Sequence, residues 1–357
     1  CIRDRLSTNG KPCILYGELY TKYKAEIINE VLSCTELDAN TLVKSKVNDV
    51  IIPCSGETAI DIATARCIPF DDVLLGGDLN ILRSNKVNGS FLAYQLNGKR
   101  KYDIARVAQG VSVVHLYGEH LNNIVISLPV IEEQQKISRL LHLLDERIAT
   151  QNKIIEDLKK LKSAIIEMEY GQMAKSISHI GDFIEQISKR NKDSAIKDVL
   201  SVSNSQGFIQ QSEQFENRIV ASDDTSNYKI VKRNDFAFNP ARINVGSIAR
   251  LTTFERGIVS PMYICFRTKD ILLPEYLDYY FKSKQFSTEI QKRLEGSVRQ
   301  CLSFDGLCNI PLSVPAIEIQ QQIGKRLSAL VQEINLEIDF LELLQKQKKF
   351  LLYQMFI

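Results

Sequence analysis

The chain repeats itself at a shift of 186 residues. Asn123, Ile124, Ser127, Pro129, Ile131, Glu132, Gln134, Gln135 and Ile137 recur as Asn309, Ile310, Ser313, Pro315, Ile317, Glu318, Gln320, Gln321 and Ile323. Over the windows 123–168 and 309–354 there are 16 identities in 46 positions, against roughly three expected from average composition. The same shift pairs Asn48-Asp49 with Asn234-Asp235, Ile62-Ala63 with Ile248-Ala249, and Gly110 with Gly296. A repeat of this length means one fold used twice. Between these anchors the halves differ almost everywhere, so a shared frame presents two different surfaces.

Each half ends in a long stretch suited to a helix, residues 131–170 and about 317–357. Apolar residues fall at Ile137, Leu141, Leu144, Ile148, Ile155, Leu158 and Ile165, and again at Ile323, Leu327, Leu330, Ile334, Leu341, Leu344 and Leu351. This four-and-three spacing makes a coiled-coil seam. Gln151 and Lys162 interrupt the first seam where Glu337 and Lys348 interrupt the second. Pro129 and Pro315 are expected to stop a preceding strand, and Glu132, Glu133 and Glu318 place negative charge at the positive end of the helix dipole. Forty residues make a rod of about 60 Å. The link from Tyr170-Gly171 to Ile180 reaches at most about 35 Å, too short to return along such a rod, so the two helices are expected to pack antiparallel with a globular domain at each end.

The expected class is α+β. It comprises a globular domain over 1–130, a spacer helix over 131–172, a second globular domain over 173–315 and a second spacer helix over 316–357. Short apolar runs such as Val50-Ile51-Ile52, Val73-Leu74-Leu75, Val111-Ser112-Val113-Val114 and Phe236-Ala237-Phe238 read as strands, with helices near Ser90–Leu96 and Glu275–Leu294. Ile180-Gly181-Asp182-Phe183 would pair with residues before Cys1. The numbered chain is therefore expected to begin inside a longer natural sequence and to lack the opening element of its first half.

No apolar run approaches the roughly 18 residues of a membrane span, and the first residues lack the apolar core of a signal peptide, which predicts a cytoplasmic protein. The eight cysteines show no two-residue gap of the kind zinc ribbons use, and with four histidines available they read as reduced, mostly buried thiols.

Catalytic signatures are missing. There is no phosphate-binding loop, no G-x-G-x-x-G and no H-E-x-x-H. Asn239-Pro240-Ala241-Arg242 approaches an amino-methyltransferase loop but has Ala and Arg where a second Pro and a base-stacking aromatic belong. No catalytic residue and no cofactor or metal ligand is assigned. The whole chain is nearly balanced, at net +2, yet residues 95–106 carry +3 and residues 229–250 carry +4. Lys and Arg in such clusters suit phosphates, and Arg and Asn suit base edges. Candidate DNA contacts are Ser55, Thr58, Lys99, Arg100, Lys101 and Tyr102 in the first domain. In the second they are Asn239, Arg242, Asn244, Ser247, Arg250, Ser297 and Arg299.

Leu128-Pro129-x-x-Glu132-Glu133-Gln134-Gln135-x-Ile137, running into Leu144-Asp145-Glu146-Arg147-Ile148, has a partial copy in Val314-Pro315-x-x-Glu318-x-Gln320-Gln321-x-Ile323. With the duplicated order of variable domain and repeat-sharing helix, this resembles the specificity subunit of type I restriction-modification systems over almost the full length. The resemblance implies two target recognition domains, each reading one half of a split double-stranded DNA sequence, joined by a helix pair that sets the unread gap. It further implies two methyltransferase subunits that bring S-adenosylmethionine, and restriction subunits that translocate and cut DNA with ATP and Mg. The specificity subunit itself does no chemistry. Glu132, Glu133 and Gln135 are candidates for holding the modification subunits, although Ile319 stands where the first copy has Glu133. Two other readings are a coiled-coil adaptor that binds only proteins and the recognition module of a fused restriction-methyltransferase enzyme.

Overall fold

The computed structural model describes residues 6–37, 42–171, 177–204, 206–214, 224–296 and 300–356. They form two compact units, residues 1–154 with 337–357, and residues 155–336. Each unit thus takes one globular domain together with part of both long helices. No described helix is long and apolar enough to cross a membrane.

In the first unit, β1 (Leu6–Ser7), β2 (Lys11–Ile14), β3 (Ser33–Thr35), β4 (Val43–Lys44) and β8 (Leu74–Leu75) form one sheet in the order β1-β3-β2-β8-β4. A second sheet, β7-β5-β9, uses β5 (Asp49–Pro53), β7 (Arg66–Ile68) and β9 (Leu79–Leu82), and β6 (Ser55–Gly56) pairs with β10 (Val114–His115). Besides helices of a single turn, α1 (Gly89–Asn97) and α2 (Lys101–Val107) lie ahead of the long helix α3 (Ile131–Tyr170).

The second unit rebuilds this frame from β11 (Ile184–Ile187), β12 (Val199–Ser203), β13 (Gly207–Gln210), β14 (Lys229–Lys232), β15 (Phe236–Phe238), β16 (Ile248–Arg250), β17 (Arg256–Val259) and β18 (Ile264–Thr268). Its sheets run β13-β12-β17-β14 and β11-β18-β15-β16. The parallel pair β2·β8, with Cys13 opposite Leu74, returns as β12·β17, with Val199 opposite Ile258. After them come α4 (Pro274–Tyr280), α5 (Lys284–Arg293), a short helix at Phe304–Cys308 and the long α6 (Ile317–Gln354).

The anchor dipeptides mark a turn that both copies need. Asn48 and Asn234 sit at φ 77° and 71°, a left-handed conformation that Asn tolerates better than most residues. The next residue, Asp49 or Asp235, accepts a backbone bond from Lys46 N or Lys232 N at 2.8 Å in each case. Both carboxylates are buried, and they pair with Arg83 at 2.6 Å and Arg267 at 3.1 Å.

The long helices pack antiparallel within each unit. In the first, Leu141 of α3 shares an apolar cluster with Leu352 and Phe356, and Gln151 Nε2 donates to Glu337 O at 3.1 Å. In the second, Ile166 and Tyr170 cluster with Ile323 and Leu327. The repeat persists in the packing, since Phe356 lies 5.2 Å from Phe91 and its counterpart Tyr170 lies 5.8 Å from Tyr280. Burying one such large side chain contributes about 1.5–3 kcal/mol. Cys13, Cys67 and Cys265 are buried free thiols, and Cys34, Cys54, Cys301 and Cys308 are half-buried.

Three local expectations change. The run Val111–Val114 is a strand only at Val114–His115, because Gly110 at φ 124° turns the chain and a Gln109–His115 bridge closes a loop that leaves Val111 97% exposed. The stretch Glu275–Leu294 is two helices, since Ser283 caps the second by accepting from Phe286 N at 3.1 Å. No strand precedes Pro129 or Pro315; each prolyl residue ends an irregular segment instead.

Candidate nucleic-acid interface

In the first unit the candidates spread over three elements. Ser55 is buried in β6 opposite His115. Thr58 caps a one-turn helix, its Oγ1 accepting from Asp61 N at 3.2 Å. Lys99 is exposed, and Arg100 pairs with Asp103 at 3.3 Å. Lys101 Nζ reaches Thr64 Oγ1 at 3.4 Å; burial, and then the Arg66 charge, hold its ammonium below the ordinary lysine range. Tyr102 is 52% exposed and hydrogen-bonds Tyr353.

Lys101 and Tyr102 line a cleft of about 880 Å³ between the globular domain and the helices. Its floor is a polar cluster that the sequence did not single out. Lys348 Nζ lies 2.5 Å from both Glu26 Oε2 and Asp145 Oδ1, and Tyr94 Oη donates to Asp145 Oδ2 at 2.7 Å. Arg66, also buried, donates to the carbonyls of Leu19 and Tyr23, so two cations face two carboxylates. Burial and the Glu26 charge raise the Asp145 carboxyl above its usual range, with Lys348 opposing. The available signal was a lysine on an apolar seam facing an aspartate inside Leu144-Asp145-Glu146-Arg147-Ile148.

In the second unit, Asn239 and Ser247 are buried and build one loop. Asn239 N donates to Ser247 O at 3.0 Å, Ala241 N to Asn239 Oδ1 at 3.1 Å, and Ser247 Oγ to Val202 O at 3.4 Å. That loop holds Arg242 and Asn244 exposed. Arg250 is half-buried on β16, its Nε without a hydrogen-bond partner among the described residues. Ser297 and Arg299 lie outside the described residues.

At the start of α3, Glu132, Glu133 and Gln135 are exposed. Between them Gln134 is buried, accepting from Asn88 N at 2.9 Å and donating to Pro129 O at 2.8 Å. Its repeat partner Gln320 accepts from Leu273 N and donates to Pro315 O, each at 2.8 Å. The shared glutamine therefore clamps each long helix to its own globular domain.

The type I restriction modification DNA specificity domain family model matches residues 8–160 and again 178–345. The chain belongs to this family. Such a specificity subunit is the DNA-recognition component of a type I restriction-modification system and is not itself catalytic. It is 23% identical over 340 residues to the type I restriction enzyme MjaVIII specificity subunit of Methanocaldococcus jannaschii, covering 85% of this chain and 76% of that one. The putative MjaX specificity subunit of the same organism is 24% identical, over 78% of this chain and 70% of that one. A crystal structure of the S subunit of a type I restriction-modification system from M. genitalium shares the fold at a TM-score of 0.55 and 15% identity, covering 100% of this chain and 95% of that one. The double match of the specificity domain falls on the two halves that the 186-residue shift relates.

Proposed function

We propose that each globular domain reads one half of a bipartite duplex target and that the helix pair sets the unread gap. The observation that supports this most is a single two-sheet frame built twice with different loops. The first unit carries Lys99, Arg100, Lys101 and Tyr102, and the second an Asn239–Ser247 loop displaying Arg242 and Asn244. Phosphate contacts by the cations would supply much of the affinity, and Arg and Asn the base discrimination.

Two modification subunits would dock on the helices and bring S-adenosylmethionine, while restriction subunits would bring ATP and Mg; the assembly would work in the cytoplasm. In the first unit the helices leave Leu140, Leu143, Ile154, Leu343 and Phe350 exposed, apolar surface of the kind that a partner helix covers. Glu132, Glu133 and Gln135 border it at the start of α3.

The test is to co-express the chain with modification subunits and map methylated adenines in duplex DNA. Two short half-sites separated by a fixed gap are expected. One uninterrupted motif would refute the two-reader arrangement, and protein binding with no methylation pattern would favour the adaptor reading.

A further inference from the structure

We propose that a basic cleft in the second unit, formed by residues 188–196 and Arg256, binds backbone phosphates of duplex DNA independently of sequence. The proposal rests on the DNA-recognition reading and adds to it a surface distinct from the loops that present candidate base contacts. The cleft measures about 740 Å³ and is lined by Lys189, Arg190, Lys192 and Arg256, with Asp193 as its one acidic residue. All four cations are exposed, and among the described residues none of them is in an ion pair. Arg233 and Arg267, by contrast, are held by Glu255 at 2.9 Å and Asp235 at 3.1 Å. Arg190 Nη1 donates to Asn227 Oδ1 at 3.0 Å, and its other donors, with Lys189, Lys192 and Arg256, are open to an external anion.

The loop that carries Lys189, Arg190 and Lys192 is built firmly. Asn191 is wholly buried and closes it, Nδ2 donating to Ile196 O at 2.9 Å and Oδ1 accepting from Ile196 N at 3.2 Å. Its own N–H donates to Tyr228 O at 2.9 Å, and Ile230 N donates to Lys189 O at 2.8 Å, tying the loop to β14. Ile196, Tyr228 and Ile258 pack beneath it. The cations thus project from a fixed base, which lowers the ordering cost of meeting a phosphate.

Position also suits the assignment. Ile196 leads into the start of β12, whereas the Asn239–Ser247 loop is tied to its far end at Val202. The six residue steps from Ile196 to Val202 span about 20 Å, more than the roughly 12 Å width of the major groove. With the loop against base edges, the cleft falls on the backbone that borders them.

The experiment measures binding of the full chain to a random-sequence 30-base-pair duplex between 50 and 300 mM NaCl. The triple variant Lys189→Gln, Lys192→Gln, Arg256→Gln is compared with a control, Lys153→Gln, Lys159→Gln, Lys325→Gln, that removes the same charge from the long helices. With about 0.9 counterions released per neutralised phosphate, the slope of log K against log salt should become shallower by up to about 2.7 in the cleft variant. It should hold in the control, and also in Lys189→Arg, Lys192→Arg, Arg256→Lys, which keeps the charges. Equal loss in cleft and control variants would reduce the effect to net charge and overturn the proposal. A slope unchanged in the cleft variant, with wild type still salt-dependent, would overturn the cleft while leaving DNA recognition intact. Wild type without salt-dependent duplex binding would overturn both.

Discussion

Replacing Lys348 by Met should unlock the first recognition domain from its helices. The ammonium touches Glu26 and Asp145 at 2.5 Å each, and both carboxylates are at least nine-tenths buried. Removing one partner of a buried pair leaves uncompensated charge behind, at a cost of about 3–5 kcal/mol. For a unit of this size each kcal/mol moves the midpoint by about 2–4 °C, so a fall of about 6–20 °C is expected. Thermal melts followed by circular dichroism, with amide exchange to locate the loss in residues 1–154 and 337–357, measure it. The pH dependence carries the sign. Asp145 has a raised folded pKa, so its contribution to stability is full below the unfolded value of about 3.9 and is lost as pH rises through the folded one. Without Lys348 that folded value climbs further, and the deficit of Lys348→Met against wild type should grow from pH 4 to pH 7. Adding Asp145→Asn, which removes the carboxylate left without a cation while Glu26 keeps Arg66, should recover most of the loss. A deficit under about 1 kcal/mol, the worth of a surface pair, or one that ignores pH, would refute the reasoning.

Gln134→Ala and Gln320→Ala should each cost about 1–3 kcal/mol, because buried backbone groups lose their partners. Gln320 makes a further bond to Ile271 O at 2.9 Å, so its loss should be the larger in denaturant titrations, with Leu273 as the amide that exchanges faster. Gly110→Ala should destabilise the first unit, since φ is 124° and an added Cβ would run into Val113 O, whereas Gly77→Ala, with nothing within 4 Å, should leave the melting midpoint within the spread of repeat measurements. Arg242→Ala should relax which sequences the assembled complex methylates, by about 1–3 kcal/mol of discrimination if the side chain reads a base; an unchanged methylation map would remove Arg242 from the interface.

By itself the sequence determined the duplication, the two long helices and the family, because each is written in short-range pattern. A seven-residue seam needs no knowledge of what lies across it, and an identity between Gln134 and Gln320 is visible without knowing that each clamps a domain. Antiparallel packing also followed, from a ten-residue link set against a much longer rod. What only the tertiary structure decided were meetings between residues far apart in the chain. Lys348 read as an interruption in a seam until Glu26, 322 residues away, proved to be its partner. Asn239 and Ser247 have residue types that suit base recognition, yet the fold spends them on closing their own loop and leaves Arg242 and Asn244 outside. The cations at Lys189, Arg190 and Lys192 are diluted by Asp193 and Asp198 along the chain, and Arg256 joins them only because β17 lies beside β14. Periodicity reports which face of an element is apolar, whereas a binding surface depends on which elements the sheets bring side by side.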